Sequence, residues 1–379
     1  MRRFSCFCGQ GLAFENVQCL ACGRRVAFAP DLLALMALEP CDDGWRLASD
    51  PAAPARRLCR NYAEVDVCNW LCPPGTDSPY CMSCGLSPEI PDLSVEGNLA
   101  RWARLETAKR RLVYDLLDLG LSFDATLDPG GEPIPALRFA FLADTPTLHV
   151  VTGHDNGRIT VTIDEADEAR RAEIRDTLGE PYRTLLGHLR HESGHYYFAR
   201  LVARSPLLAR FRELFGDESV DYAAALARHY RDGAPPDWPQ RFVTAYASAH
   251  PHEDWAETWA HYLHIRDTLD TARAHGIAIA DSDVAPGDAR DHWAFKDLVT
   301  AWLPVALAVN ELNRSMGLPD MYPFVLPPAA LDKLEFVHDL VRGAAAPAGA
   351  SAPAIRRTAC GSRHRRVGAA HAPLPGPAL

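Results

Sequence analysis

The segment His191-Glu192-Ser193-Gly194-His195 limits the possible local structure and chemistry of this chain more than any other segment. Residues four apart on an α-helix lie one turn apart on the same face, so His191 and His195 can bind one metal ion together. Glu192 would then lie beside the metal without being a ligand. The sequence HESGH therefore fits the HExxH arrangement of zinc hydrolases, which combines two ligands with a general base for a polarised water molecule. The alternative is two surface histidines and a glutamate on an ordinary helix.

A zinc site of this kind needs a third protein ligand. In metzincins a Gly and a further His follow the motif, but Phe198 and Leu201 occupy those positions here. The other route is a glutamate from a second helix. The segment 250–261 reads HPHEDWAETWAH, and its four-residue spacing aligns Glu253 and Glu257 on one helical face. We therefore predict Glu253 as the third ligand and Glu257 as the hydrogen-bond partner of a ligand imidazole.

Other histidines crowd the same region and are candidates for supporting groups or substitute ligands: His250, His252, His261 and His264. His188 lies one turn before His191, and we interpret it as structural. The sequence alone does not indicate which of these histidines contacts the metal site.

All of the cysteines except Cys360 precede residue 85, in paired spacings that are typical of metal sites in a reducing compartment. The spacing predicts a zinc ribbon from the set Cys6, Cys8, Cys19 and Cys22. A second structural zinc is predicted, with less regular spacing, from the set Cys59, Cys68, Cys81 and Cys84. Cys72 competes for a place in this second set, and buried or redox-active thiols are the alternative. Cys41 and Cys360 match neither set and are predicted to be free.

The segments HESGH and EDWAET together resemble the gluzincin class of zinc peptidases. The order of Tyr246, Glu253, Ala256 and Glu257 is similar to that of lethal-factor-like peptidases within this class. The resemblance implies Glu253 as a zinc ligand, Glu257 as its supporting neighbour and Tyr246 as the hydroxyl that stabilises the oxyanion. On the residues alone, an aromatic residue at this position is often part of the core, and that is the alternative for Tyr246.

The whole chain, from about Phe4 to Arg342, resembles the bacterial zinc-binding metallopeptidases that carry an N-terminal zinc ribbon. The resemblance rests on these segments: FSCFCGQGLAFENVQCLACG, CNW, CMSCGLSPEIPDLS, AKRRLVYDLLDLGL, HESGHYYF and HPHEDWAETWAHYLHI. It implies one catalytic Zn²⁺ and one or two structural zinc ions. It does not supply a substrate.

These patterns predict an α+β fold, with zinc-ribbon segments before a mostly helical gluzincin-like domain and a small sheet before the HExxH helix. The predicted organisation is a ribbon at 1–40, a second cysteine-rich segment at 41–95, a peptidase domain at 96–342 and a disordered tail at 343–379. The peptidase domain is expected to begin with a helix from about residue 98 to 119. Further helices are expected near 205–215, 219–231, 238–249, 253–274, 289–316 and 328–342.

Three β-rich segments, RFAFLA, LHVVT and RITVTI, lie between residues 121 and 163, and Asn156-Gly157 predicts a tight turn between the last two. Ile159–Ile163 is the candidate for an edge strand that holds an extended substrate. An ordinary paired strand is the alternative for the same residues.

Composition narrows the function classes. The formal net charge of −10 argues against sequence-independent binding to nucleic acid or to an anionic membrane surface. No secretory leader follows Met1, and the apolar stretch Leu298–Val309 is too short to span a bilayer, so we expect a cytoplasmic protein.

The function predicted from the sequence is hydrolysis of peptide bonds, with a peptide or protein as substrate and a possible protein partner bound through the ribbon. The alternatives are an adaptor whose HExxH zinc is structural, and a zinc amidohydrolase that acts on a non-peptide substrate. A fourth protein ligand at the histidine site would favour the adaptor.

Overall fold

The structure is a computed structural model that describes residues 2–128, 130–145, 149–168, 171, 184–277 and 293–344. Short strands dominate the first 50 residues, and long helices dominate after residue 184. The predicted α+β class, with a cysteine-rich ribbon region before a mostly helical domain, is confirmed.

The N-terminal region contains two small antiparallel sheets. Their strands are β1 (Phe4–Ser5) paired with β2 (Gly11–Leu12), and β4 (Ala34–Cys41) between β3 (Val26–Ala29) and β5 (Gly44–Leu47). A short helix α1 (Arg60–Ala63) and a 3₁₀ turn (Cys84–Leu86) follow. The strands are short, and bound metal is therefore expected to add to the local stability of this region.

Helix α2 (Asn98–Asp118) joins this region to the rest of the molecule and closely matches the predicted range. Its apolar side chains recur at helical spacing and are fully buried at Leu105 and Leu112. Tyr114 of the same helix packs against the ribbon region. Its ring centroid lies 5.4 Å from that of Phe14 and 5.8 Å from that of Phe28. The ribbon and the helical domain therefore share one continuous hydrophobic core.

A three-stranded sheet precedes the HExxH helix. Its strands are β8 (Arg138–Leu142), β9 (Gly153–Asp155) and β10 (Arg158–Thr162), and a small hairpin lies before them, β6 (Thr126–Leu127) with β7 (Pro133–Ile134). The Asn156-Gly157 turn has the predicted positive φ angles, 45° and 82°. It folds β9 back onto β10 in antiparallel pairing.

The prediction that Ile159–Ile163 is a substrate-holding edge strand is wrong. β10 pairs with β8 in parallel on one side and with β9 on the other, and Ile159 is fully buried. Both edges of β10 are occupied because the tight turn forces β9 alongside it. β9 is an outer strand of this sheet in the described part of the chain, and it begins at Gly153, later than the predicted segment LHVVT.

The HExxH helix α3 (Leu185–Leu201) packs against a second long helix, here called the EDWAE helix (Pro251–Ala274). A Cβ atom at Gly194 would lie only 2.9 Å from the Cα atom of Ala256, so glycine is required for the two backbones to approach. The indole of Trp255 donates to the Gly194 carbonyl at 2.7 Å, and that of Trp259 donates to Ser193 Oγ at 3.1 Å. The middle of the motif is thus the contact that aligns the two helices.

The remaining helices surround this pair. They are α4 (Leu208–Phe215), α5 (Tyr222–Asp232), α6 (Trp238–Arg241), the 3₁₀ turn Tyr246–Ala249, α7 (Pro251–Ala274, the EDWAE helix), α8 (Phe295–Ser315) and α9 (Pro328–Ala344). The predicted 238–249 helix is interrupted because Phe242 adopts an extended conformation after α6. The first part of the predicted 289–316 helix, most of the predicted tail and Cys360 lie outside the described residues.

Candidate metal centre and active-site cleft

Helix α3 presents the two motif histidines on one face. The ring centroids of His191 and His195 are 5.0 Å apart, as expected for side chains one helical turn apart. Thr184 precedes α3 as its N-cap residue, and its hydroxyl accepts the Gly187 N–H at 2.9 Å and so caps the first turn. Both imidazoles line a cleft of about 1530 Å³.

The EDWAE helix brings the predicted third ligand to the same point. One ligand atom from each of His191, His195 and Glu253 lies within 4.8 Å of the other two. Glu253 Oε2 is 3.1 Å from His191 Nε2, and Glu253 Oε1 is 3.7 Å from His195 Nε2. The group contains three protein residues within the described part of the chain, which is the ligand number of catalytic zinc sites with an open fourth position.

The donor set fits zinc. Two imidazole nitrogens and one carboxylate are a known set for catalytic Zn²⁺. Glu253 is 1% exposed, yet its Oε2 atom has no hydrogen-bond partner, despite the short distance to His191. A buried carboxylate oxygen without a partner is costly, and a cation held at this point would satisfy it.

Glu257 lies one turn after Glu253 and supports a ligand histidine. Its Oε1 atom is 2.7 Å from His191 Nδ1, and its Oε2 atom accepts the Thr244 hydroxyl at 2.8 Å. A carboxylate that accepts a hydrogen bond from Nδ1–H keeps the proton on that nitrogen, which leaves His191 Nε2 available for a metal. The structure thus places Glu257 where the sequence predicted it.

The charges at the centre are those of a cation-binding site. Burial opposes protonation of His191, but Glu253 and Glu257 outweigh it and raise the pKa of His191 well above its usual value. Burial alone would raise the pKa of Glu253, yet the neighbouring histidines lower it, so this carboxyl group is ionised. Cations compete with protons for such sites, and the same negative potential favours both.

Glu192 also lines the cleft. Its Oε1 atom is 3.2 Å from His188 Nε2, and its Oε2 atom is buried without a hydrogen-bond partner. Burial would raise its pKa, but His188 and the two motif histidines lower it to about 2. Glu192 is therefore an ionised carboxylate with one oxygen atom available as a proton acceptor.

Two tyrosines approach the ligand glutamate. Tyr246 lines the cleft with its ring centroid 6.1 Å from that of His191, and burial followed by the charge of Glu253 raises its pKa, so its hydroxyl keeps its proton. The second, Tyr222, was missed by the sequence interpretation. Its hydroxyl donates to Glu253 Oε1 at 2.6 Å across 31 residues of sequence, and no local pattern signals that contact.

The other candidate histidines divide into two groups. His250 caps the EDWAE helix, because its Nδ1 atom accepts the His252 N–H at 3.0 Å, so its role is structural. His252, His261 and His264 line the cleft. His261 Nδ1 lies 2.7 Å from the hydroxyl of the buried Tyr322, which orients the ring.

The cysteines gather in the two predicted sets. Ligand atoms lie within 4.8 Å of one another both in the set Cys6, Cys8, Cys19 and Cys22 and in the set Cys59, Cys68, Cys81 and Cys84. All four members of the second set are buried, whereas Cys8 is exposed. Cys72 is outside that set, with its thiol directed to the Leu58 carbonyl at 3.7 Å, and Cys41 is in neither set.

Comparisons with known proteins agree with this geometry. Residues 98–340 match the model of a family described as "Putative zinc-binding metallo-peptidase", and residues 3–95 match that of a zinc-ribbon domain. Uncharacterized proteins of Mycobacterium tuberculosis and Mycobacterium bovis are 46% identical over 343 residues, which cover 90% of this chain and 95% of theirs. No solved structure matches significantly. Among the described helices, none has the length and apolar character needed to cross a membrane.

Proposed function

Because the chain belongs to the zinc-binding metallo-peptidase family whose model covers residues 98–340, we propose that it hydrolyses peptide bonds at the His191–His195–Glu253 centre. The observation that carries the proposal is the convergence of three ligand atoms beside an ionised Glu192 in an open cleft. A zinc ion held there would polarise a water molecule and lower its pKa toward neutrality.

Glu192 acts as the general base in this mechanism. Its unpaired Oε2 atom accepts the proton of the attacking water, and the same carboxyl group then delivers a proton to the leaving amine. Tyr246 keeps its proton, so its hydroxyl is a suitable donor to the oxyanion that develops on the substrate carbonyl. Glu257 keeps His191 in the tautomer that binds metal.

An extended peptide suits the cleft. Residues 150–152 and the first two residues of the outer strand β9 line the cleft, and an outer strand can offer backbone groups to a substrate. The cleft volume of about 1530 Å³ exceeds the usual range of about 300–1,000 Å³ for small-molecule pockets. Both features favour a peptide over a small amide.

The ribbon is proposed to recruit a protein partner or substrate. Phe7 and Leu20 follow the first cysteines of the ribbon pairs by one residue and are 61% and 93% exposed. Exposed apolar side chains on a rigid metal-held turn are suited to protein contact. The two thiol sets also favour a reducing compartment, in agreement with the expected cytoplasmic location.

The test is Glu192→Gln in the full-length, zinc-loaded protein. Loss of a general base is expected to lower kcat on a peptide library by about 10²- to 10⁴-fold. Zinc content should be unchanged, because Glu192 is not a ligand. Glu335→Gln, at an exposed position of α9, is the matched control. Equal turnover by Glu192→Gln and the wild type would contradict the proposal.

A further inference from the structure

His188 connects two buried carboxylates. It lies one turn before Glu192 on α3, with Nε2 3.2 Å from Glu192 Oε1, and its Nδ1 atom is 2.6 Å from Glu165 Oε2. Glu165 belongs to the 3₁₀ turn Ile163–Ala166, which directly follows β10. The side chains of Glu165 and Glu192 are only 4% and 7% exposed. One imidazole thus joins the end of the sheet to the HExxH helix.

Both nitrogen atoms of this ring face carboxylate oxygens. Ionised carboxylates only accept hydrogen bonds, so each ring nitrogen must donate, and the ring that satisfies both is the imidazolium. One ring nitrogen lies 2.6 Å from Glu165 and the other 3.2 Å from Glu192, so a protonated ring offsets part of the negative charge of the two buried carboxylates.

The contact on Glu192 is one-sided. Oε1 is held by His188, whereas Oε2 is buried and has no hydrogen-bond partner. A glutamate side chain has three rotatable bonds, and a base held in a single orientation loses less entropy when it reaches the attacking water. An anchor on one oxygen leaves the other as the proton acceptor.

We propose that His188, held by Glu165, is a positioning residue that fixes Glu192 by one carboxylate oxygen and leaves the other to accept the proton. The inference rests on the proposed peptidase function and deepens it, because it assigns the control of the general base to a residue outside the HExxH motif. A purely structural role, in which His188 only ties the 3₁₀ turn to α3, is the competing interpretation.

The first test is His188→Leu in the full-length, zinc-loaded protein. Loss of a supporting hydrogen bond is expected to lower kcat by about 10- to 100-fold, with KM and zinc content nearly unchanged. His188→Gln should recover part of the loss, because its amide group can still donate to Glu192. His338→Leu is the matched control, since His338 likewise has partners at both ring nitrogens, Tyr262 and Trp293, but does not line the cleft.

A double-mutant cycle separates the two interpretations. If His188 acts through Glu192, His188→Leu should have almost no further effect on kcat in the Glu192→Gln background. Additive effects of the two substitutions would overturn the proposal. Unchanged kcat in His188→Leu alone would overturn it as well.

The contact can also be measured without turnover. In ¹⁵N NMR of the full-length, zinc-loaded wild type, both ring nitrogens of His188 should give the shifts of hydrogen-bond donors, and Glu192→Gln should change the shift of Nε2. An Nε2 shift that is unaffected by Glu192→Gln would overturn the proposal. If the wild type hydrolyses no peptide, the peptidase function fails, and this measurement still decides whether His188 holds Glu192.

Discussion

The buried cysteine set and the histidine centre both bring their potential ligand atoms within 4.8 Å of one another, but the two sets differ in the number and exposure of their residues. Cys59, Cys68, Cys81 and Cys84 are all buried, and four thiolates would complete a tetrahedral shell. The histidine centre offers three residues and opens onto a large cleft. A site whose protein ligands fill all coordination positions can only stabilise the fold, whereas a site with three protein ligands leaves one position for a reacting water molecule.

Their surroundings differ in the same sense. Cys84 Sγ is 3.8 Å from Glu106 Oε2 on α2, and Glu106 forms a 2.8 Å ion pair with Lys109 in which both side chains are completely buried. The buried cysteine set is therefore in direct contact with α2, the first helix of the helical domain. Around the histidine centre, by contrast, buried carboxylate oxygens of Glu192 and Glu253 remain without hydrogen-bond partners.

The largest effect is expected from Cys81→Ser. Loss of a ligand from the closed site should reduce the free energy of unfolding by more than about 4 kcal/mol, because loss of a structural metal is among the most damaging changes. Urea unfolding measures this. Cys72→Ala, at a buried cysteine outside the set, should cost only about 1 kcal/mol and leave the zinc content unchanged. Equal stability losses in the two variants would show that the buried cysteine set does not hold a structural metal.

Tyr246→Phe should change the activity of the histidine centre and leave the cysteine sites unchanged. Removal of an oxyanion donor is expected to lower kcat by about 10²- to 10³-fold, while zinc content and unfolding free energy stay near wild-type values. Tyr262→Phe, at a buried tyrosine whose hydroxyl contacts His338, is the control for loss of a hydroxyl group. If Tyr246→Phe keeps full kcat, the assignment of the oxyanion donor is wrong, and Tyr222 becomes the next residue to test.

Glu257→Gln should have the smallest of these effects. The amide oxygen can still accept the His191 N–H, but the loss of negative charge should weaken zinc binding at the centre by about tenfold. Competition with a chelator measures the affinity, and Glu311→Gln, at an exposed site, serves as the control. Unchanged affinity would show that Glu257 does not support the ligand histidine.

Much of the centre could be predicted because its geometry is local to two helices. The four-residue spacing of His191 and His195, and that of Glu253 and Glu257, is a property of the α-helix itself. The sequence also carried a glycine at the helix contact, although it could not indicate that Gly194 would meet Ala256.

The contacts that the sequence could not predict join residues that are far apart along the chain. Tyr222 reaches Glu253 across 31 residues, and Glu165 reaches His188 across 23, so neither pair has a spacing rule. The position of β10 between β8 and β9 depends on pairing partners, which alternating hydrophobicity does not specify. The residues that tune the site were therefore harder to find than its ligands.

Zinc binding by His191, His195 and Glu253 can be tested directly. The zinc content of the wild type and of Glu253→Ala is counted per chain by elemental analysis of the full-length protein. Three ligand sets predict three zinc ions in the wild type and two in Glu253→Ala, with both cysteine sites still filled. If Glu253→Ala keeps the wild-type zinc content, Glu253 is not a zinc ligand and the proposed catalytic centre is wrong.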